Sequence, residues 1–159
     1  MEDALTGLPN RRRFECRMDR RDWTNVHLLM IDVDRFKRIN DCHSHQVGDE
    51  VLKRIAAVLR AGVRSTDFAA RLAGDEFVVA LFDLDDAAAQ ATAARLKLAV
   101  SAQAWGDIAP SLNVSISVGV TRGEADSKFA EVLRQSDAAM YRDKATHASQ
   151  RATIDVAKG

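Results

Sequence analysis

The sequence predicts an α+β fold, a central, mostly antiparallel sheet flanked by helices. Three observations carry that expectation. Short apolar runs of strand length alternate with longer segments of helical periodicity. Two of the strands, Phe68–Leu72 and Phe77–Phe82, are separated only by Ala73-Gly74-Asp75-Glu76, which reads as a hairpin. A helix pair fills the space between the first strand and that hairpin.

The elements follow in order. Thr6-Gly7-Leu8-Pro9-Asn10 is turn-rich, and Asn10 can cap a helix from Arg11 to about Arg21. Val26 to Val33 is a buried strand ending in Asp32-Val33-Asp34, and Phe36–Asn40 is a short helix followed by the polar link Asp41–Gln46. Val47, Val51, Leu52, Ile55, Leu59 and Val63 recur at helical spacing, predicting an amphipathic helix over about 48–62. Nine alanines in the nineteen positions of Asp86–Ala104 favour another helix. Leu112, Val114, Ile116, Val118 and Val120 alternate as in a strand covered on one face. Lys128 to about Thr146 is the last helix, and Ile154–Val156 suggests an edge strand in the tail. No internal repeat or linker divides the 159 residues, so one domain is expected over 1–159.

Composition narrows the function. Lys plus Arg and Asp plus Glu are each 23, a net charge of zero, which disfavours a nucleic-acid or anionic-membrane partner held by bulk charge. Cys16 and Cys42 cannot form a disulfide framework. The longest apolar runs, such as Phe77–Phe82, fall far short of the ~20 residues of a membrane span. With no basic-then-apolar leader, the expectation is a cytoplasmic domain without direct membrane contact. Cys42-His43-Ser44-His45 lacks a second ligand pair for zinc, and Arg11-Arg12-Arg13 reads as a solvated helix start.

Acidic residues gather where strands end. Asp32 and Asp34 point to one side of the first strand, and Asp75 and Glu76 sit at the hairpin turn. If the strands are neighbours, Asp32 and Asp75 come close enough to need a cation between them, and such an oxygen site suits Mg²⁺. Solvated loop acids are an equal reading from spacing alone.

Longer blocks resolve that choice. Arg71-Leu-Ala-Gly-Asp-Glu-Phe77 resembles the signature of the GGDEF domain, the catalytic domain of diguanylate cyclases, in an AGDEF variant. Asp3-Ala-Leu-Thr-Gly-Leu-Pro-Asn-Arg-Arg12 resembles the family's opening motif, and Ile31-Asp-Val-Asp-Arg-Phe-Lys-Arg-Ile-Asn-Asp41 its metal and nucleotide segment, continued by His45, Gly48 and Asp49. Ser117–Val120 and Asp137–Lys144 resemble later blocks, all in the family's order. The resemblance implies a ferredoxin-like core akin to nucleotidyl cyclases and polymerase palms.

It also implies a reaction: two GTP joined into cyclic di-GMP by 3′-oxygen attack on an α-phosphorus, releasing pyrophosphate. Asp32, Asp75 and the Val33 carbonyl would hold Mg²⁺, with Mn²⁺ an alternative, and Glu76 would act as a further ligand or as a base. Lys37, Lys144 and the backbone N–H groups around Arg35 and Phe36 would bind phosphates beside Ala73 and Gly74. Asn40 and Asp49 would read guanine, favouring GTP. Arg64-Ser-Thr-Asp67 resembles the RxxD product-inhibition site, with Arg95 as a partner. A homodimer would be needed for catalysis, and an N-terminal sensor or dimerising region would lie outside this chain, along with any membrane attachment.

Three positions depart from the pattern. Ala73 replaces the first signature glycine, which would strain the backbone if that position needs positive φ. Ser44 replaces a turn glycine, and Ala148 stands where an arginine would reinforce phosphate binding. Ala73 and Ala148 leave a second reading, a degenerate module that binds GTP or cyclic di-GMP as a regulatory receptor.

Overall fold

A computed structural model describes residues 1–19 and 21–158, with side chains placed through Thr146. In chain order its helices are α1 (Arg11–Met18), α2 (Phe36–Cys42), α3 (His45–Gly62), α4 (Asp86–Ser101) and α5 (Phe129–Lys158). The strands are β1 (Val26–Val33), β2 (Phe68–Ala73), β3 (Glu76–Phe82) and β4 (Ile116–Arg122). They form one four-stranded sheet in the order β2-β3-β1-β4, every pairing antiparallel. With α2 and α3 crossing from β1 to β2, and α4 from β3 to β4, this is the ferredoxin-like β-α-β-β-α-β arrangement. The expected α+β palm-like fold is the observed one.

Alternation along β1 builds two cores. Leu29, Ile31 and Val33 face α3 and α4, where Ile55, Leu59, Ala93 and Leu96 meet them. Leu28 and Met30 face the other side, where Phe14 and Met18 of α1 and Val132 and Met140 of α5 close over them. Covered on both faces, β1 is buried at all eight positions, which is why it reads as a continuous apolar run.

Local chemistry sets the helix starts. Asn10 and Asp85 accept from the N–H groups of Arg13 and Ala88 to cap α1 and α4. Ser44, the replacement for a turn glycine, caps α3 by accepting from Val47 N–H, so α3 begins at His45 and not at 48. Gly119 is needed for close approach: a Cβ there would fall on the backbone of α5 at Ser136 and Met140.

Several boundaries and one burial pattern depart from expectation. Helix α1 stops at Met18, and a 3₁₀ turn occupies Trp105–Asp107. Leu112 and Val114 are buried but precede β4: Val33 pairs with Ile116, so no β1 residue remains to pair with 112–114. The start of β4 is buried on both faces rather than one, because α5 covers the second. The tail does not form a strand at Ile154–Val156; with no glycine or proline between 129 and 158, α5 runs on to Lys158.

Candidate active site

The site forms where β1 ends beside the hairpin. Antiparallel register sets Asp32 opposite Glu76, and Val33 N–H donates to the Asp75 carbonyl at 3.2 Å. Like charges directly across a ladder destabilise a sheet, so the arrangement has no structural merit of its own. Burial, then the neighbouring Asp32 carboxylate, push the Asp75 carboxyl up to about 7. Burial also raises Glu76, reinforced by the charges of Asp32 and Asp137.

Asp32 is buried and divided between two fates. Its Oδ2 accepts from Lys144 Nζ at 2.6 Å, while its Oδ1 is buried without a hydrogen-bond partner. Burial works against the Lys144 ammonium, but the bond and charge of Asp32, with Asp34 and Asp75 behind it, leave its pKa raised. Asp34 points to the same side and accepts from Ser115 and Ser117 hydroxyls at 2.6 and 2.5 Å. That ties the end of β1 to β4. Among the described residues no three His, Cys, Asp or Glu side chains converge as a metal-binding group. Asp32 and Asp75 are thus a pair of carboxylates without a third such side chain beside them.

The hairpin turn is clamped from below. Arg71 donates to the Gly74 carbonyl at 2.9 and 2.7 Å and to both Asp3 oxygens at 3.1 Å. Asp3 in turn accepts from Thr6 N–H and its hydroxyl, at 2.8 and 2.7 Å. The opening motif and the signature are therefore one bonded unit, which reading the blocks separately missed. The fork of a guanidinium three residues before a turn carbonyl was the available signal. Gly74 has φ +42°, whereas Ala73 is outside the positive-φ region and exposed. The strain expected of Ala73 does not arise.

Around this centre, Arg35 adopts φ 54° to open α2, whose first N–H groups, at Phe36 and Lys37, have no acceptor within the helix, and Lys37 is exposed. Asn40 sits under α3 with a buried, unpartnered Oδ1 beside Gly48. Asp49 is exposed in the second turn of α3, so the helix-start role that an acid can play does not account for it. A cavity of about 350 Å³, lined by Arg11, Arg12, Arg71, Ala73 and Gly74 among others, adjoins the turn.

Arg64 and Asp67 lie at the opposite end of the hairpin. The guanidinium meets Asp67 at 3.1 and 3.0 Å and the Phe82 carbonyl at 2.5 Å, so this pair closes the loop into β2. Arg95 is exposed on α4 near Gly62. Ala148 lies outside the described side chains.

A ferredoxin-like sheet with carboxylates at the end of its central strands defines a palm-like domain. The family model for "Diguanylate cyclase, GGDEF domain" matches residues 1–150, and the chain belongs to that family. It is 38% identical over 150 residues to the diguanylate cyclase DgcP of Pseudomonas aeruginosa, covering 91% of this chain and 22% of that protein. It is 40% identical over 154 residues to the response regulator PleD of Caulobacter vibrioides, covering 91% and 34%. Among solved structures, the GGDEF domain of DgcB from Caulobacter crescentus in complex with c-di-GMP matches with TM-score 0.84 and 27% identity, over 91% of this chain and 90% of that one. The diguanylate cyclase SiaD of P. aeruginosa, in complex with its activator SiaC, matches with TM-score 0.80 and 32% identity, over 91% and 58%.

Proposed function

We propose that this domain is a Mg²⁺-dependent diguanylate cyclase, two copies of which face each other to join two GTP into cyclic di-GMP and pyrophosphate. One observation carries the reading. Asp32 and Asp75 are held together, partly desolvated, with one Asp32 oxygen unpartnered and Asp75 shifted to about 7. That is a carboxylate pair built to need a cation.

The donor set fits Mg²⁺, with Mn²⁺ as a substitute: two carboxylates and the Val33 carbonyl, with room left for phosphate and water oxygens. When bound, the cation supplies charge compensation for the reacting phosphates and lowers the pKa of the attacking hydroxyl. The chain's own residues do the rest. Lys144, now on Asp32, is released to the phosphates once Asp32 is otherwise compensated. Lys37 and the free N–H groups at the start of α2 hold the same phosphates, against the turn of Ala73 and Gly74. Glu76, directly across from Asp32, takes the proton of the 3′-hydroxyl. Asn40 and Asp49 orient the base.

Arg64 and Asp67, with Arg95, form the product-inhibition site. Its guanidinium must exchange the Asp67 and Phe82 contacts for product phosphate or guanine, so inhibition is tuned by an internal competitor. The receptor alternative loses one support, since Ala73 carries no left-handed backbone. The test is chromatography of products from a forced dimer given GTP and Mg²⁺. Cyclic di-GMP above an Asp75→Asn control is expected. Tight nucleotide or product binding without any turnover would replace the cyclase reading with the receptor.

A further inference from the structure

We propose that Gly48 is a positioning residue for base recognition: its missing side chain is the slot in which the Asn40 amide stands. The inference rests on the reading of Asn40 and Asp49 as the base-reading pair.

Gly48 lies inside α3, buried, with ordinary helical backbone, so conformational freedom does not explain a glycine there. Glycine in a helix interior is a poor helix former, which makes the choice unfavourable locally. What explains it is space. A Cβ on Gly48 would overlap Asn40 Oδ1 and come within 3.0 Å of its Cγ and 3.2 Å of Phe36 Cζ. The atoms in the way belong chiefly to the movable end of one side chain. A methyl group would therefore evict the amide rather than break α3 apart.

The amide in that slot is itself unfinished. Asn40 Oδ1 is buried and accepts no hydrogen bond from the protein. A buried acceptor left unmade is unfavourable, so the shape of the slot at Gly48, and not a hydrogen bond to the protein, is what sets where the amide stands. Asp49, the next residue after Gly48, adds further acceptors on the same helix. The exposed Asp49 carboxylate complements a base edge that presents two donors, as guanine does with N1–H and its exocyclic amine, with the Asn40 amide as its neighbour in the proposed pair. Adenine offers an acceptor at N1 and no amine at C2. Gly48 sets the spacing between the Asn40 amide and the Asp49 carboxylate, and through it the preference for guanine.

The test measures equilibrium affinity for non-reacting analogues of GTP, ITP and ATP, ITP lacking the exocyclic amine. Wild type, Gly48→Ala, Asn40→Ala and the double variant are compared. The expected wild-type preference for GTP over ITP is about tenfold, the worth of one good hydrogen bond, and Gly48→Ala reduces it to about twofold or less. Because Gly48 acts through Asn40, adding Gly48→Ala to Asn40→Ala causes no further loss. Melting temperatures stay level or rise with alanine in the helix. A Gly48→Ala protein that discriminates as the wild type does overturns the inference, as do losses that add in the double variant. If Gly48→Ala does not fold, the double variant must, since it removes the obstructing amide; a double variant equally unfolded also overturns it. A wild type that binds all three analogues alike overturns the guanine reading itself, a result distinct from the others.

Discussion

Burial first and then Asp32 push the carboxyl of Asp75 up to about 7, against an ordinary 3.8. A raised pKa means the folded state holds the proton more tightly than the unfolded chain. That contribution is full below about pH 4 and disappears as pH rises through about 7. Asp75→Asn should therefore melt higher than wild type at about pH 8 without divalent cation, and the gap should close toward about pH 5. Mg²⁺ should stabilise wild type at the higher pH and leave Asp75→Asn unmoved. Thermal melts across that range check both signs. Arg71 belongs to the same scale. Its fork holds the Gly74 carbonyl and Asp3 together, so Arg71→Lys, which keeps the charge but not the fork, should lose about 1–3 kcal/mol in denaturant titration. Turnover should fall with it, because the turn that carries Asp75 is no longer clamped.

At the scale of elements, α5 and β4 bring Lys144 to Asp32. Gly119 lets the two approach, and Lys97, bonded to Asp143 at 2.8 Å, pins α5 to α4. Gly119→Ala should destabilise by about 1–3 kcal/mol through overpacking, with weaker nucleotide binding as Lys144 shifts. Ser44→Ala should cost α3 about 1 kcal/mol and Ser44→Gly only a few tenths, the order expected of an N-cap. Elements were legible where one local signal sufficed. The apolar run of β1 and the Gly74-Asp75 turn before β3 each carried their own marker. The start of β4 did not, because Leu112 and Val114 are buried with strand-like alternation yet face no partner strand. The helical tail was missed because a few β-branched residues weighed more than the absence of any breaker. Of the site, the blocks marked Asp32, Asp75 and Asn40. The slot at Gly48 and the Asp3–Arg71–Gly74 clamp are contacts across the fold, which no single segment encodes.

For the whole molecule, zero net charge and a polyanionic substrate are compatible, because the grip is local. In the proposed cyclase, Lys144, Lys37 and a carboxylate-bound cation would act within a few ångströms, where screening by salt matters little. No helix among the described residues is long and apolar enough to cross a membrane. The chain spans 22% and 34% of the two curated relatives described above, so these assignments concern the domain. In the proposed reading, each domain has one carboxylate pair and one base-reading pair, enough for a single GTP. In the proposed dimer each domain is half of an active site. The most direct test is the rate of cyclic di-GMP formation per mole of untethered domain, measured over a wide dilution series with GTP and Mg²⁺ in excess. Two facing half-sites predict that specific activity rises with protein concentration, and that tethering copies in pairs removes the dependence. Specific activity that stays constant on dilution of the untethered domain would contradict the account.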